Sequence, residues 1–154
     1  MRLLPFLLSF YLPLCGTTGA TGVAAPGVVD FLHLKRLGHS EVFLAPAGFL
    51  EPPDLISPLY HVPPLKLYEL FQAVAAGQPR TFLLDREPAA LQAAWVVRSA
   101  GGNFPDIVEM AVIAEPGGSS FVLYSHAIYG WSDYGVNRNR AKKWMEILDM
   151  KVAE

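Results

Sequence analysis

A single cysteine, Cys15, is all the thiol chemistry available to this 154-residue chain. It lies close to the N-terminus, so the remainder has no disulfide, no cysteine-ligated metal and no thiol nucleophile. Histidine is nearly as scarce. The four, His33, His39, His61 and His126, show no metal-ligand spacing, and no metal is expected. Charged residues make up only 17% of the chain, and the net charge is −2. That balance excludes the broad basic face a general nucleic-acid binder needs. The glycine pair in Ala100–Asn103 lacks both the lysine of a phosphate-binding loop and the dinucleotide spacing, so it reads as a turn and no cofactor is implied.

Long apolar runs are missing too, with one exception. Leu3 to Leu14 follows Arg2 and precedes small residues, the layout of a secretory signal peptide. The run falls short of the ~20 residues that span a bilayer, and Pro5 and Pro13 weaken it as a helix. Residues 1–20 are therefore expected to be a signal peptide, with Thr18 and Ala20 before the cleavage site. The chain would then be exported to the periplasm or held at the membrane. Cys15 offers a second route, lipidation, although Leu14 sits where a small residue is preferred. A third reading packs the segment on the domain.

Proline, by contrast, is plentiful. Pro46, Pro52, Pro53, Pro58, Pro63 and Pro64 forbid a long helix before residue 64. Residues 21–56 read as an extended wrapping arm, and residues 57–154 as a single α+β domain beginning with a strand near Ser57–Val62. A helix follows, with Leu67, Leu70, Phe71 and Val74 on one face, Gly77 as a left-handed cap and Pro79 as a stop. Strands are expected at Thr81–Leu84, Leu91–Arg98, Asp106–Ala114 and Ser120–Tyr129, with Glu115–Ser119 as a hairpin turn. The last helix, from about Arg138, carries Ala141, Trp144, Met145 and Leu148. The order strand, helix, four antiparallel strands, helix gives a curved sheet packed against its C-terminal helix. Its core is expected to hold Trp95, Met110, Phe121, Leu123, Trp144 and Leu148.

Ser125, His126 and Asp133 carry the residue types of a hydrolytic triad. Neighbours in a strand point to opposite faces, so Ser125 and His126 should not meet, and no nucleophile-elbow pattern surrounds Ser125. No catalytic residue is assigned. The start of the last helix is the odder feature. With Asn137 as N-cap, Arg138 and Arg140 occupy its first turn, ahead of Lys142 and Lys143, where each cation meets an unfavourable dipole term of about 0.3–1 kcal/mol. Something anionic should compensate. One reading is an internal brace in which Arg98, Arg138 and Arg140 meet Asp106 and Asp133, with Arg138 paired to Asp133. The other is an anion pocket built on Arg98, Arg138 and Arg140, with Arg140 as a partial anion site. Asp133 also suits a turn braced through its own backbone bonds. Tyr124, Tyr129, Trp131 and Tyr134 lie close enough in sequence to line an entry.

The stretches VVRSAGGNFPD (Val96–Asp106), LYS (Leu123–Ser125) and YGWSDYGVNRNR (Tyr129–Arg140) resemble the family catalogued as domain of unknown function 1499, from Gln78 onward. Ser132, Asp133, Gly135, Asn137, Arg138 and Arg140 stand in the family's places. The cysteine motif many members carry near the N-terminus is absent. The resemblance implies one folded unit and a small bacterial exported or membrane-associated protein, but no reaction. Two functions follow as expectations. One is a non-enzymatic envelope protein that binds an amphiphilic or anionic ligand such as a lipid headgroup. The other is an accessory or scaffolding module that binds another envelope protein through the arm or an exposed sheet face.

Overall fold

A computed structural model describes residues 9–154. The strands are β1 (Glu41–Ala45), β2 (Leu55–Ile56), β3 (Thr81–Glu87), β4 (Gln92–Arg98), β5 (Pro105–Glu115) and β6 (Gly118–Ala127). The helices are α1 (Pro64–Ala76) and α2 (Val136–Ala153). One six-stranded sheet runs in the order β2-β1-β6-β5-β4-β3, antiparallel except for the β1–β2 pair. The fold is α+β, with an open sheet and the C-terminal helix packed on it.

The arm contributes more than wrapping. Residues 41–45 form β1, inserted between β2 and β6, and four of its five residues are buried. Such a run is apolar on both sides because both sheet faces are covered. The strand expected at Ser57–Val62 reduces to one bridge, Tyr60 to Ser119. Gly118 makes that approach possible, since a Cβ there would meet the Tyr60 carbonyl oxygen at 1.9 Å.

α1 begins at Pro64, where the missing N–H is no loss, and buries Leu67, Phe71 and Val74. Gly77 ends it in a right-handed conformation (φ −86°) rather than the left-handed cap expected, with its N–H bonded to the last turn. β5 and β6 meet through a two-residue Pro116–Gly117 turn, Gly117 supplying the positive φ. The six expected core residues all lie in the cluster between the helices and the sheet. On the opposite face, Phe31 from the arm covers Phe43, Val122 and Tyr124, flanked by Leu34 and Phe49.

Candidate functional site

The YGWSDYGVNRNR segment folds into the turn and first coils of α2. Tyr134 and Gly135 take positive φ values, and Gly135, not Asn137, is the N-cap. A side chain at position 135 would be strained at its φ of 79°. Asp133 compensates the dipole: its carboxylate accepts the N–H groups of Gly135 and Asn137, each at 3.0 Å. Burial pushes that carboxyl upward, but the bonds from the Asn137 side chain and from the two backbone N–H groups prevail and hold it below the ordinary range.

Asn137 is fully buried and is a hub instead of a cap. Its Nδ2 donates to the Ser40 carbonyl at 3.2 Å and to Asp133 at 2.8 Å. Its Oδ1 accepts from Ser125 Oγ and from Arg140 Nη1, both at 2.6 Å. Arg140 also reaches Ser125 Oγ at 3.1 Å and Asp106 Oδ2 at 3.1 Å. The two side chains of that ion pair are each 12% exposed. Desolvation raises the Asp106 carboxyl, opposed by the Arg140 charge. The network thus ties α2 to the residue before β1, the start of β5 and the C-terminal part of β6. The brace exists, but with the arginines exchanged: Arg140 pairs with Asp106, while Arg138 is exposed and does not meet Asp133. Ser125, with its hydroxyl committed to this network, faces α2, whereas His126 lies on the other face as strand geometry requires.

Arg98 does not join the network. It is 2% exposed and donates to the carbonyls of Leu14, Gly19 (3.0 Å) and Asn103 (3.3 Å) and to Thr17 Oγ1 (2.8 Å). Burial pulls its pKa down. The segment around Cys15 therefore lies on the domain, with Cys15 itself buried. Nothing in the side chains of residues 14–19 announced this contact, because most of what Arg98 and Asn103 hold is backbone. The first eight residues of the proposed signal peptide fall outside the described ones.

Beside the network lies a cavity of about 910 Å³ between α2, the loop before it and the ends of β3, β4 and β5. Val97, Phe104, Ala127, Tyr129, Val136 and Trp144 give it apolar walls. Arg80, Arg98, Arg140 and Lys143 line it together with Asp106 and Asp133, four cations to two carboxylates. Tyr134 stands at its lining and is 93% exposed, and Trp131 in the same loop is 83% exposed. Tyr124 points away, to Glu41 and Leu37 on the far face of the sheet. Among the described residues, no group of three or more His, Cys, Asp or Glu side chains is placed to hold a metal ion.

A second polar cluster joins residues that no sequence motif links. Glu109 and His126 pack on the arm-covered face, with Nε2 and Oε2 3.9 Å apart. Desolvation raises the Glu109 carboxyl from 4.5 to about 7 and lowers the pKa of His126. The folded chain thus keeps a Glu109 proton that the unfolded chain releases above pH 4.5. Its contribution to stability falls as pH rises from 4.5 to about 7, by on the order of 3 kcal/mol. His126 acts oppositely: its contribution is lost as pH falls below its unfolded value of 6.5. Glu109→Gln should therefore match wild type in urea midpoint near pH 4.5 and exceed it progressively toward about pH 8. A difference that does not grow with pH would contradict this burial.

The profile of the family described as protein of unknown function (DUF1499) matches residues 40–148, a range that includes β1 and β2. No curated protein matches the chain. Among solved structures, an uncharacterised protein from Rhizobium leguminosarum is 13% identical with a TM-score of 0.48, covering 64% of this chain and 91% of its own. Ara h 8.0201 is 11% identical with a TM-score of 0.48, covering 63% and 94%. TTHA0849 from Thermus thermophilus is 15% identical with a TM-score of 0.36, covering 73% and 97%. With its Ser132–Arg140 motif spent on the brace and the family profile matched from the first strand to the last helix, the chain belongs to the DUF1499 family.

Proposed function

We propose that the protein is a non-enzymatic binder of an anionic amphiphile, working in the cell envelope. The cavity carries this reading. Its volume of about 910 Å³ falls within the roughly 300–1,000 Å³ of ligand sites. Its walls are apolar with a few convergent polar groups, and cations outnumber carboxylates, which favours an anionic head with an apolar tail. Ser125 is buried and its hydroxyl is already bonded to Asn137 and Arg140, which speaks against its use as a nucleophile. Exposed Trp131 and Tyr134 suit an amphiphile's approach. The same two side chains favour the second reading, an accessory module docking on another envelope protein.

Native mass spectrometry of protein purified from its source membranes tests both. The expected spectrum shows a retained small amphiphile, lost on activation. A bare chain with no adduct would overturn ligand binding, and a stoichiometric polypeptide partner in its place would favour the second reading. A full-length mass found in the cytoplasmic fraction would overturn the envelope location.

A further inference from the structure

Arg98 is a nearly fully buried cation with no carboxylate within ion-pair distance among the described residues. Neutral oxygens surround it. Asn103, beside it, donates its side-chain amide to the carbonyls of Cys15 at 2.9 Å and Thr17 at 2.7 Å. Five oxygen atoms of one six-residue stretch, Leu14 O, Cys15 O, Thr17 O, Thr17 Oγ1 and Gly19 O, thus converge on two side chains. Oxygens gathered on a guanidinium and an amide are what a phosphate or carboxylate presents. Neutral carbonyls serve a guanidinium less well than a carboxylate or phosphate, because they supply no countercharge and do not engage the fork in two places.

The stretch is otherwise lightly held. Its 3-10 turn, Pro13–Gly16, has Cys15 as its one buried residue, and the Leu14 N–H reaches Tyr129 Oη at 3.2 Å. Leu12 and Arg98 both line the large cavity, so the stretch lies where an amphiphile's head would meet its tail's channel.

We propose that residues 12–19 are a built-in occupant of the cavity's anion-recognising corner, and that the oxyanion head of an amphiphile displaces them to bind Arg98 and Asn103. The tail then runs along Val97, Phe104 and Trp144. This rests on the cavity being a ligand site, and deepens it by naming where the head sits and what it evicts.

The test uses the full chain with three separate probes: dodecyl phosphate below its micelle concentration, dodecanol, and inorganic phosphate. Calorimetry gives affinity, and hydrogen exchange reads the Leu14 and Cys15 amides. Dodecyl phosphate should bind at least about tenfold tighter than either other probe and strip protection from both amides. Thr17→Val, which removes one acceptor from the occupant and leaves Arg98 in place, should tighten dodecyl phosphate binding by about tenfold, the loss of one charge-assisted bond. Arg98→Lys, keeping charge without the fork, should weaken it by a similar factor. Tight binding with both amides still protected would overturn displacement and leave the cavity reading standing. Unchanged affinity in Thr17→Val would overturn displacement likewise. Inorganic phosphate binding as tightly as dodecyl phosphate would keep the anion corner and remove the amphiphile. No binding in any arm would remove both readings.

Discussion

Trp144→Ala is expected to lower the free energy of unfolding by about 3–5 kcal/mol. The side chain is 2% exposed, and its ring meets Phe71 and Trp95 edge-on, each with centroids 6.0 Å apart. It therefore locks α2 to α1 and to β4 together, and deleting it leaves a void at the wall of the large cavity. Urea unfolding checks the value, with Trp144→Phe as the milder control. A loss within the roughly 0.5 kcal/mol of an ordinary surface substitution would mean that α2 does not pack through this ring.

Asp106→Ala should cost a comparable amount, about 3–5 kcal/mol, because it leaves the Arg140 guanidinium mostly buried without its counter-charge. The matched control is Arg138→Ala. Arg138 is exposed, so its loss should register within about 0.5 kcal/mol. The two melting curves discriminate between the brace seen here and the Arg138–Asp133 pairing the sequence suggests. Equal destabilisation by Arg138→Ala would restore the latter.

That exchange of arginines has a geometric reason. Arg138 and Arg140 are two residues apart, roughly 200° around a helix, so only one can face the sheet. The apolar stripe Ala141, Trp144 and Leu148 marks the buried face between them. Extended backwards by four residues from Ala141 it reaches Asn137, while Arg138, three residues before Ala141, and Arg140, four before Trp144, lie on its opposite flanks. The spacing thus marks Asn137 as buried, but a helix start placed at Arg138 makes it a cap and hides its role as hub. Asp133 and Asp106 were recognisable as counter-charges; their partners depended on a rotation.

Other parts were legible for simpler reasons. Val108, Met110 and Val112 alternate as a half-buried strand must, and Leu67, Phe71 and Val74 recur as a helix face must. β1 was hidden because VFLA is a short unbroken apolar run ahead of a proline-rich stretch, with no alternation to mark it. The contact of Arg98 with residues 14–19 was not legible at all, since most of its acceptors are backbone carbonyls, which every residue carries.

The place of β1 in the sheet has a consequence in time. Its partner strand is β6, and Glu41 lies opposite His126, 85 positions further along (126 − 41). β3 to β6 can zip as successive hairpins, but β1 must wait for the last of them. On a ribosome adding about 5–20 residues per second, that wait is roughly 4–17 s. Throughout it, an apolar strand is out of the tunnel with unpaired N–H and C=O groups along the edge that β6 will cover, open to any other strand it meets. Pro46, directly after the strand, limits how far such a mispairing can spread C-terminally, because it cannot donate to a ladder. The proline that closes β1 thus acts as a safeguard for a strand that is made early and used late.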